Sequence, residues 1–385
     1  MVETKHQMIY LDENATAPLL EVAHTAMLDA ARIAANPSSV HQAGRKARAI
    51  IDQARQALAD LTGRPSDRII FTASGSEANA LAVHLARQHL APRHGRSLWI
   101  AACEHASLHQ WVVLGQAEPI RLGVDGKLDL GHLEQILHAQ ASEPAFFAIQ
   151  AASGETGIIQ DISTIAAMIK AQGFDHHLHV DAVQIPGKLP LGPLSANCDS
   201  MALSAHKMGG LQGSGALVLG DDSSSLMARP QPMVIGGGQE QGWRAGTENL
   251  TGIAAMGAAT NLLASLPPHP DRLCRQFEAD LCAALDDVHI IGAGQPRLPN
   301  TSCIAIEGVP ADMMVIELDQ LGFMISAGSA CASGKAKQAH VLEAMGLEPH
   351  ITRSAFRIST GRNTNQADLD KLVQACVHIT RRWRS

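Results

Sequence analysis

The sequence lacks the features that several broad classes of protein need. No apolar run in it approaches the roughly 20 residues that a helix needs to cross a bilayer. The first residues, Met1-Val-Glu-Thr-Lys5, have no apolar segment of the kind found in signal peptides. The seven cysteines form no C-x-x-C pair, which argues against a disulfide framework or a structural zinc site. These absences predict a cytoplasmic protein with no membrane partner.

Basic clusters are also scarce. The 385-residue chain has a net charge of −7, and its one dense basic run is Arg381-Arg-Trp-Arg384. A protein whose main partner is nucleic acid needs a basic surface, so we expect no such partner. Hydrophobic residues make up 46% and charged residues 17% of the chain, which is typical of a well-packed globular protein.

Strand-like and helix-like segments alternate along most of the chain. Short apolar runs are predicted to be strands at 68–72, 97–102, 145–150, 177–181, 201–204 and 213–220. A helix is predicted from Arg45 to Leu61, before the first of these strands, and helical patterns lie between several of the others. This alternation predicts an α/β fold with a mainly parallel sheet and with ligands at the C-terminal ends of its strands. After the Leu266-Pro-Pro-His-Pro270 break the pattern changes to helices at 271–286 and 311–321 and strands around 301–306 and at 323–326, which predicts a second, smaller α+β domain. We expect a large domain over 16–265 and a small one formed by 1–15 and 266–385.

Lys207 follows the apolar run that ends at Ser204. Burial at the end of a core strand disfavours the charged ammonium, and the neutral amine can then form a Schiff base with an aldehyde cofactor or a carbonyl substrate. The alternative is a lysine whose head group extends into solvent. His105 and Asp181 also follow predicted strands, so we expect all three side chains to share one site.

Asp181 offers a carboxylate for the protonated ring nitrogen of pyridoxal phosphate (PLP), which keeps that cofactor an electron sink. An aspartate after a strand is also a common turn former. His177, His179 and Asp181 alternate on one strand face, as metal ligands can, but we predict no metal site here.

The segment Ala73-Ser-Gly-Ser-Glu77 lies between a predicted strand and a helix. A helix N-terminus of this kind can bind an anion such as a phosphate, although Ser74 or Ser76 could equally be a plain N-cap. Cys331 lies in the loop Ser326–Lys335, which is rich in small residues, and a cysteine held on such a loop is a candidate nucleophile. Arg357 alternates out of an apolar strand, where its guanidinium can bind a carboxylate through two hydrogen bonds.

Taken in order, these motifs make the chain resemble the cysteine desulfurases, which are fold-type-I PLP enzymes of the class V aminotransferase family. The most specific matching segments are Asn36-Pro-Ser-Ser-Val-His41, Glu155-Thr-Gly157 with Gln160-Asp161, His179-Val-Asp181, Ser204-Ala-His-Lys207, Gly246-Thr-Glu-Asn249 and Gly328-Ser-Ala-Cys331. The resemblance implies a large domain with a mainly parallel seven-stranded sheet and a small domain that carries the cysteine loop. It also implies conversion of L-cysteine to L-alanine, with the sulfur passed to an acceptor or scaffold protein of iron–sulfur cluster assembly.

The resemblance also assigns roles to individual residues. It implies that Lys207 carries PLP, Asp181 pairs with the ring nitrogen, Gln184 bonds the ring hydroxyl and His105 stacks on the ring. The phosphate would be held by Gly75, Ser76, Ser204 and His206, and by Thr247 of the other subunit in a homodimer. Asn36 and Arg357 would hold the substrate carboxylate, and Cys331 would accept the sulfur as a persulfide. Where the family usually has a second asparagine near the ring hydroxyl, this chain has Gly154.

Three alternatives remain open at this stage. A selenocysteine lyase need not use Cys331, and another class V aminotransferase has no use for it. A sulfur-carrying or scaffold protein that kept the fold and lost the chemistry is the third, and the presence of Lys207, Asp181 and Arg357 together argues against it.

Overall fold

The computed structural model describes residues 8–90, 97–140, 143–220, 230–267, 269–327 and 340–385. Its helices are α1 (Glu21–Ala31), α2 (Gln42–Thr62), α3 (Gly75–His89), α4 (Ala106–Val113), α5 (Leu130–Ala139), α6 (Ile162–Lys170), α7 (Gly192–Ser195), α8 (Leu250–Ser265), α9 (Arg272–Ala284), α10 (Ala311–Gln320), α11 (His340–Ala344), α12 (Pro349–Ser354) and α13 (Gln366–Arg384). Its strands are β1 (Ile9–Tyr10), β2 (Ile69–Thr72), β3 (Leu98–Ala101), β4 (Glu118–Ile120), β5 (Phe146–Gln150), β6 (His177–Asp181), β7 (Ser200–Ser204), β8 (Gly215–Leu219), β9 (Val288–Ile290), β10 (Thr301–Ile306), β11 (Phe323–Met324), β12 (Ser326–Ala327) and β13 (Ala355–Ser359).

A seven-stranded sheet with the order β2-β8-β7-β6-β5-β3-β4 forms the centre of the molecule. Strand β8 is antiparallel to both of its neighbours, and the other pairs in the sheet are parallel. The expectation of a mainly parallel α/β sheet is therefore confirmed. Because β2 and β7 both run against β8, the carboxyl ends of β2, β3, β5, β6 and β7 lie along one edge.

Both faces of this sheet are covered by apolar side chains, as expected for parallel strands with helical crossovers. Successive residues of β5 show this, since side chains alternate between the two faces of a strand. Phe147 and Ile149 belong to one core cluster, whereas Phe146 and Ala148 belong to another. The sheet is thereby buried on both sides, and its strand ends are where polar side chains can reach a ligand.

A second, four-stranded antiparallel sheet has the order β12-β13-β10-β9. Its own apolar cluster includes Phe277 and Leu281 from α9 and Leu372 and Cys376 from α13. This cluster is distinct from the two that cover the central sheet. Arg357 lies on β13, in the middle of this second sheet.

Two features differ from the sequence-based expectations in detail. The segment 323–326, predicted as one strand, is split at Ile325: β11 pairs with β1, whereas β12 pairs with β13. Helix α2 begins at Gln42, before the predicted Arg45, because the His41 ring accepts from the backbone N–H of Gly44 at 3.2 Å and caps the first turn.

Candidate active site

Lys207 lies just beyond β7, in the single helical turn Ala205–Lys207. Its Nζ donates to the backbone carbonyls of Asn14 at 2.6 Å and Ala15 at 2.8 Å. The side chain is half-buried, so the amine is held at the carboxyl edge of the sheet and does not extend into solvent.

Asn14 connects the groups around Lys207, and the sequence analysis missed it. This buried residue accepts on its backbone oxygen from Gln184 Nε2 at 3.0 Å as well as from Lys207. Its Oδ1 accepts from Lys188 Nζ at 2.9 Å, and its Nδ2 donates to Thr301 Oγ1 at 2.8 Å. The only signal in the sequence is its place in the polar loop after β1, because the partners of its side chain and of its backbone oxygen are 140 or more positions away.

Lys188 is a second buried lysine near the same loop. Its Nζ also donates to Gln184 Oε1 at 2.5 Å. The pKa of Lys188 is lowered to about 7, mainly by burial and in addition by the charge of Lys207, while Glu13 acts in the opposite direction. Residue type and a location near this loop therefore do not distinguish the two lysines. What separates them is that Lys207, which is half-buried, directly follows a strand end of the sheet.

Gln184 occupies space next to Gly154. A Cβ placed on Gly154 would lie 2.9 Å from Gln184 Nε2, which is closer than real Cβ atoms approach a neighbour. A larger residue at 154 would require the Gln184 amide to move. The Gln184 amide thus lies in the space that a side chain at position 154 would occupy.

Asp181 ends β6, and both of its carboxylate oxygens are hydrogen-bonded. Oδ2 accepts from Asn79 Nδ2 at 2.7 Å, and Oδ1 accepts from the backbone N–H of Val183 at 3.0 Å. The side chain is buried. The two donors fix the orientation of this buried carboxylate, and each oxygen keeps acceptor capacity for a partner such as a cationic ring N–H.

His105 follows β3 and caps α4. Its Nδ1 is 3.2 Å from the backbone N–H and 2.9 Å from the Oγ of Ser107. Desolvation lowers the pKa of His105, with further lowering by Lys207 and an opposing effect of Asp181. The ring is therefore favoured in its neutral form, and the residue as a whole is exposed to solvent.

The first turn of α3 is crowded against the end of β7. A Cβ on Gly75 would lie 2.8 Å from Val183 Cγ2 and 3.2 Å from Ser204 Cβ, so only glycine permits this approach. Ser74 caps the helix by accepting from Glu77 N at 3.1 Å. The next backbone N–H groups and the dipole of this helix favour an anion at this place.

The four residues predicted to hold a phosphate differ in exposure. Gly75 and Ser204 are buried, Ser76 is exposed, and His206 is half-buried with its Nδ1 3.1 Å from Thr16 Oγ1. Burial lowers the pKa of His206 to about 4, and Lys207 contributes to the lowering. At neutral pH this ring is uncharged and can act toward an anion only as a hydrogen-bond donor.

In the described part of the chain, two predicted site residues, Asn36 and Thr247, are exposed and are not hydrogen-bonded to the groups around Lys207. Asn36 accepts from Ser38 N at 2.8 Å within its own loop. Thr247 lines a small cavity together with Thr72 and Ala73. Among the described residues, neither side chain hydrogen-bonds another member of the predicted site.

Cys331 lies outside the described residues. Described residues before and after it contact neighbours of the predicted site. Ser326 pairs with Arg357 across β12 and β13, and His340 Nε2 is 2.8 Å from the backbone oxygen of Glu104, the residue before His105.

The chain matches the model of the family "Aminotransferase class-V" over residues 9–372. The chain belongs to this family. It is 32% identical to a cysteine desulfurase of Enterobacter agglomerans, over 98% of this chain and 94% of that protein. The family resemblance drawn from the motifs is confirmed, and the cysteine desulfurases are the group within it that the chain matches.

Solved structures agree with this assignment. A NifS-like protein from Rickettsia africae superimposes with a TM-score of 0.84, at 30% identity, covering 97% of this chain and 99% of that chain. The structure titled SspA in complex with cysteine has a TM-score of 0.76 at 27% identity, and covers 91% of this chain and 98% of that chain. The fold expected from the sequence is therefore confirmed.

Enzymes of this family depend on PLP, and the residues present here fit that group. The Lys207 amine, the buried Asp181 carboxylate and the glycine-bounded N-terminus of α3 lie at one edge of the sheet. A metal is a different matter: the described part of the chain contains no group of three or more His, Cys, Asp or Glu side chains arranged to hold one. In the same described ranges, no helix is long and apolar enough to span a membrane.

Proposed function

We propose that this protein is a PLP-dependent cysteine desulfurase that converts L-cysteine to L-alanine and holds the sulfur as a persulfide on Cys331. The observation that carries the proposal is the convergence of the Lys207 amine, the Asp181 carboxylate and the N-terminus of α3 at one strand edge. The cysteine desulfurase names of the relatives and the cysteine bound to SspA support the choice of substrate.

The cofactor would be held by the residues that the motifs indicate. Lys207 would carry it, Asp181 would pair with the ring nitrogen, His105 would stack on the ring, Gln184 would lie at the ring hydroxyl, and Gly75, Ser76, Ser204 and His206 would hold the phosphate. When bound, PLP supplies an electron sink that withdraws electrons from the carbon frame of the substrate.

The chain's own groups bind the substrate and move protons and sulfur. Arg357, with Asn36, binds the substrate carboxylate, and Lys207 Nζ accepts and returns a proton as a general base and acid. The carbon–sulfur bond of cysteine breaks, and the Cys331 thiolate forms a sulfur–sulfur bond. Cysteine and the enzyme thiol thus yield alanine and the enzyme persulfide without an added oxidant. A thiol of an acceptor then takes the outer sulfur, which we assign to iron–sulfur cluster assembly.

We further propose a homodimer in which Thr247 completes the phosphate site of the partner subunit. The exposed position of Thr247 supports this. So does a set of exposed apolar side chains, among them Val40 and Ile235, which are 88% and 89% exposed in the single chain. The division into a large domain over 16–265 and a small domain of 1–15 and 266–385 also stays a proposal, and the cytoplasmic location stays a prediction.

Alanine and sulfide release from L-cysteine by the purified protein tests the activity, and Cys331→Ala tests the sulfur acceptor. We expect this variant to bind PLP and cysteine normally and to lose sulfur transfer, because no thiolate remains to accept the sulfur. Cys282→Ala is the matched control, since Cys282 is an exposed cysteine on α9, and it should retain wild-type turnover.

Normal turnover of Cys331→Ala would remove this residue from the reaction and favour a selenocysteine lyase or an aminotransferase. Assays with selenocysteine and with an oxo-acid acceptor would then separate those two activities. A wild-type protein that releases neither alanine nor sulfide from cysteine would contradict the proposed function itself.

A further inference from the structure

A buried chain of polar side chains extends from Asp181 into the sheet. Asn79 Nδ2 donates to Asp181 Oδ2 at 2.7 Å, and Asn79 Oδ1 is 2.9 Å from His179 Nε2. His179 Nδ1 and His177 Nε2 are each 2.8 Å from Ser200 Oγ. All five residues are buried.

A second branch leaves the same amide. Asn79 Nδ2 also donates to Ser107 Oγ at 2.9 Å, and this hydroxyl is 2.9 Å from His105 Nδ1. We call Asn79, His179, Ser200, His177 and Ser107 the Asn79 network. It joins the two residues, Asp181 and His105, that the proposed function places against the cofactor ring.

The direction of each hydrogen bond in the first branch follows from Asp181. An ionised carboxylate can only accept, so the NH2 end of Asn79 faces it and the Oδ1 end faces His179. His179 must therefore carry its proton on Nε2, which leaves Nδ1 as an acceptor. The Ser200 hydroxyl then donates to Nδ1, and its oxygen accepts from Nε2–H of His177.

The second branch has a fixed direction for the same reason. An amide NH2 has two hydrogens, and Asn79 directs one to Asp181 and the other to Ser107. Since Ser107 Oγ accepts from Asn79, its own hydrogen is available to His105 Nδ1. The backbone N–H of Ser107 points to the same nitrogen at 3.2 Å, so His105 also carries its proton on Nε2.

Packing keeps the two inner rings in place. His177 and His179 both stack on Phe146, with ring centroids 5.4 Å and 5.8 Å apart. Burial lowers the pKa of both histidines to about 3, so both rings are neutral and each has one donor and one acceptor nitrogen. Inverting either ring would leave buried polar atoms unpaired, which is unfavourable in the protein interior.

We propose that Asn79 is a positioning residue for cofactor binding: through one amide it orients the Asp181 carboxylate and fixes His105 as the Nε2–H tautomer, and His179, Ser200 and His177 hold that amide in its orientation. The inference rests on the proposed roles of Asp181 and His105 toward PLP. It adds that the two side chains are set together by a single buried group.

The first test reads the tautomers directly, without any assay of activity. Long-range 1H–15N correlation spectra of the full-length protein, assigned with single histidine variants, report which nitrogen of each ring carries the proton. We expect His105, His177 and His179 to be neutral Nε2–H tautomers in both the PLP-free and the PLP-bound protein. An Nδ1–H tautomer or an imidazolium at His179 at neutral pH would overturn the proposed direction.

The second test changes the amide and measures PLP affinity. Asn79→Asp keeps the shape of the side chain but replaces the donor NH2 with an oxygen facing Asp181, so we expect the Kd for PLP to rise at least tenfold. Asn197→Asp is the control, since Asn197 Nδ2 bonds only its own turn through Pro193 O at 2.8 Å, and its Kd should match that of the wild type. An Asn79→Asp protein with a Kd within twofold of the wild type would overturn the proposal.

Ser107→Ala provides a second variant that tests the proposal if Asn79→Asp fails to fold. It removes the hydroxyl that carries the branch to His105 and leaves only the longer contact of the backbone N–H with Nδ1 at 3.2 Å. We therefore expect a minor Nδ1–H population at His105, an unchanged His179 tautomer and a smaller rise in the Kd for PLP. An unchanged His105 tautomer together with an unchanged Kd would show that the branch through Ser107 does not act on this ring. These readouts are separate from desulfurase activity: failure to release sulfide with the tautomers as expected would contradict the proposed function and leave the network intact.

Discussion

Arg357 and Asp12 form an ion pair at the predicted substrate site, with 2.5 Å between Nη2 of the arginine and Oδ1 of the aspartate. The other terminal nitrogen of the guanidinium donates to the backbone oxygen of Gly154 at 2.9 Å. Arg357 Nε is buried and has no hydrogen-bond partner among the described residues. The guanidinium is thus fixed in orientation before any substrate binds, and one of its nitrogens remains to be satisfied.

A lysine cannot reproduce this arrangement, because it offers a point charge where the guanidinium offers a planar fork. We expect Arg357→Lys to raise KM for cysteine about 10- to 100-fold, which corresponds to about 1.5–3 kcal/mol for charge-assisted hydrogen bonds. The PLP spectrum should be unchanged. Arg353→Lys, on the exposed side of α12, should have wild-type kinetics. An unchanged KM for Arg357→Lys would remove this residue from substrate binding.

Lys207, and not Lys188, should be the residue bound to PLP. We expect borohydride reduction followed by peptide mapping to place the pyridoxyl label on Lys207, and Lys207→Ala to lose the label while keeping its fold. Lys188 is the informative rival because burial lowers its pKa to about 7, which also makes its amine available. A label on Lys188, or on the exposed Lys170, would contradict the site assignment.

If the active sites are shared between subunits, two inactive variants should complement each other. A hybrid dimer of Lys207→Ala and Thr247→Ala subunits has one site with both defects and one intact site. Random 1:1 mixing should therefore restore up to about a quarter of wild-type activity, since half of the dimers are hybrids. Lys207→Ala mixed with itself serves as the blank. A monomer in sedimentation, or no recovery after subunit exchange, would count against shared sites.

Glu155 should make the stability of the fold depend on pH. Burial raises its pKa from 4.5 to about 7, against the lowering effect of Arg357, and its Oε2 has no hydrogen-bond partner among the described residues. A raised carboxyl pKa means that the stabilising contribution is complete below pH 4.5 and is lost as the pH rises through about 7. The loss is at most about 3 kcal/mol, at 1.36 kcal/mol per pH unit.

Glu155→Gln mimics the protonated form and should remove this loss. We expect the free energy of unfolding, measured in urea from pH 4.5 to 8, to fall less with pH in this variant than in the wild type. Glu13, whose pKa is also raised to about 7, leaves part of the slope in place. Glu134→Gln, on the exposed face of α5, should follow the wild-type curve. Parallel curves for Glu155→Gln and the wild type would refute the prediction.

Local sequence was sufficient to predict most of the elements that bear the site. Strand β6 begins and ends where the apolar pattern predicts, and β5 and β7 differ from the prediction by one residue. The reason is that a buried parallel strand is a short apolar run with polar or small residues after it. The placement of Lys207 and Asp181 at strand ends therefore followed from the pattern alone, whereas the adjacency of β6 and β7 was not predicted. Boundaries set by capping, such as the start of α2 at Gln42, were less well predicted because a cap depends on one side-chain geometry.

The sequence by itself determined the family, the α/β class and the residues that bear the proposed chemistry, because these depend on motifs a few residues long. Only the tertiary structure decided which side chains surround them. Asn79 meets Asp181 across 102 positions, and Asn14 meets Lys207 across 193. Such contacts arise from the order of strands in the sheet and from the return of the N-terminal loop to its edge. Neither leaves a periodic or local pattern in the chain, so the hydrogen bonds that fix Asp181 and Lys207 could not be read from it.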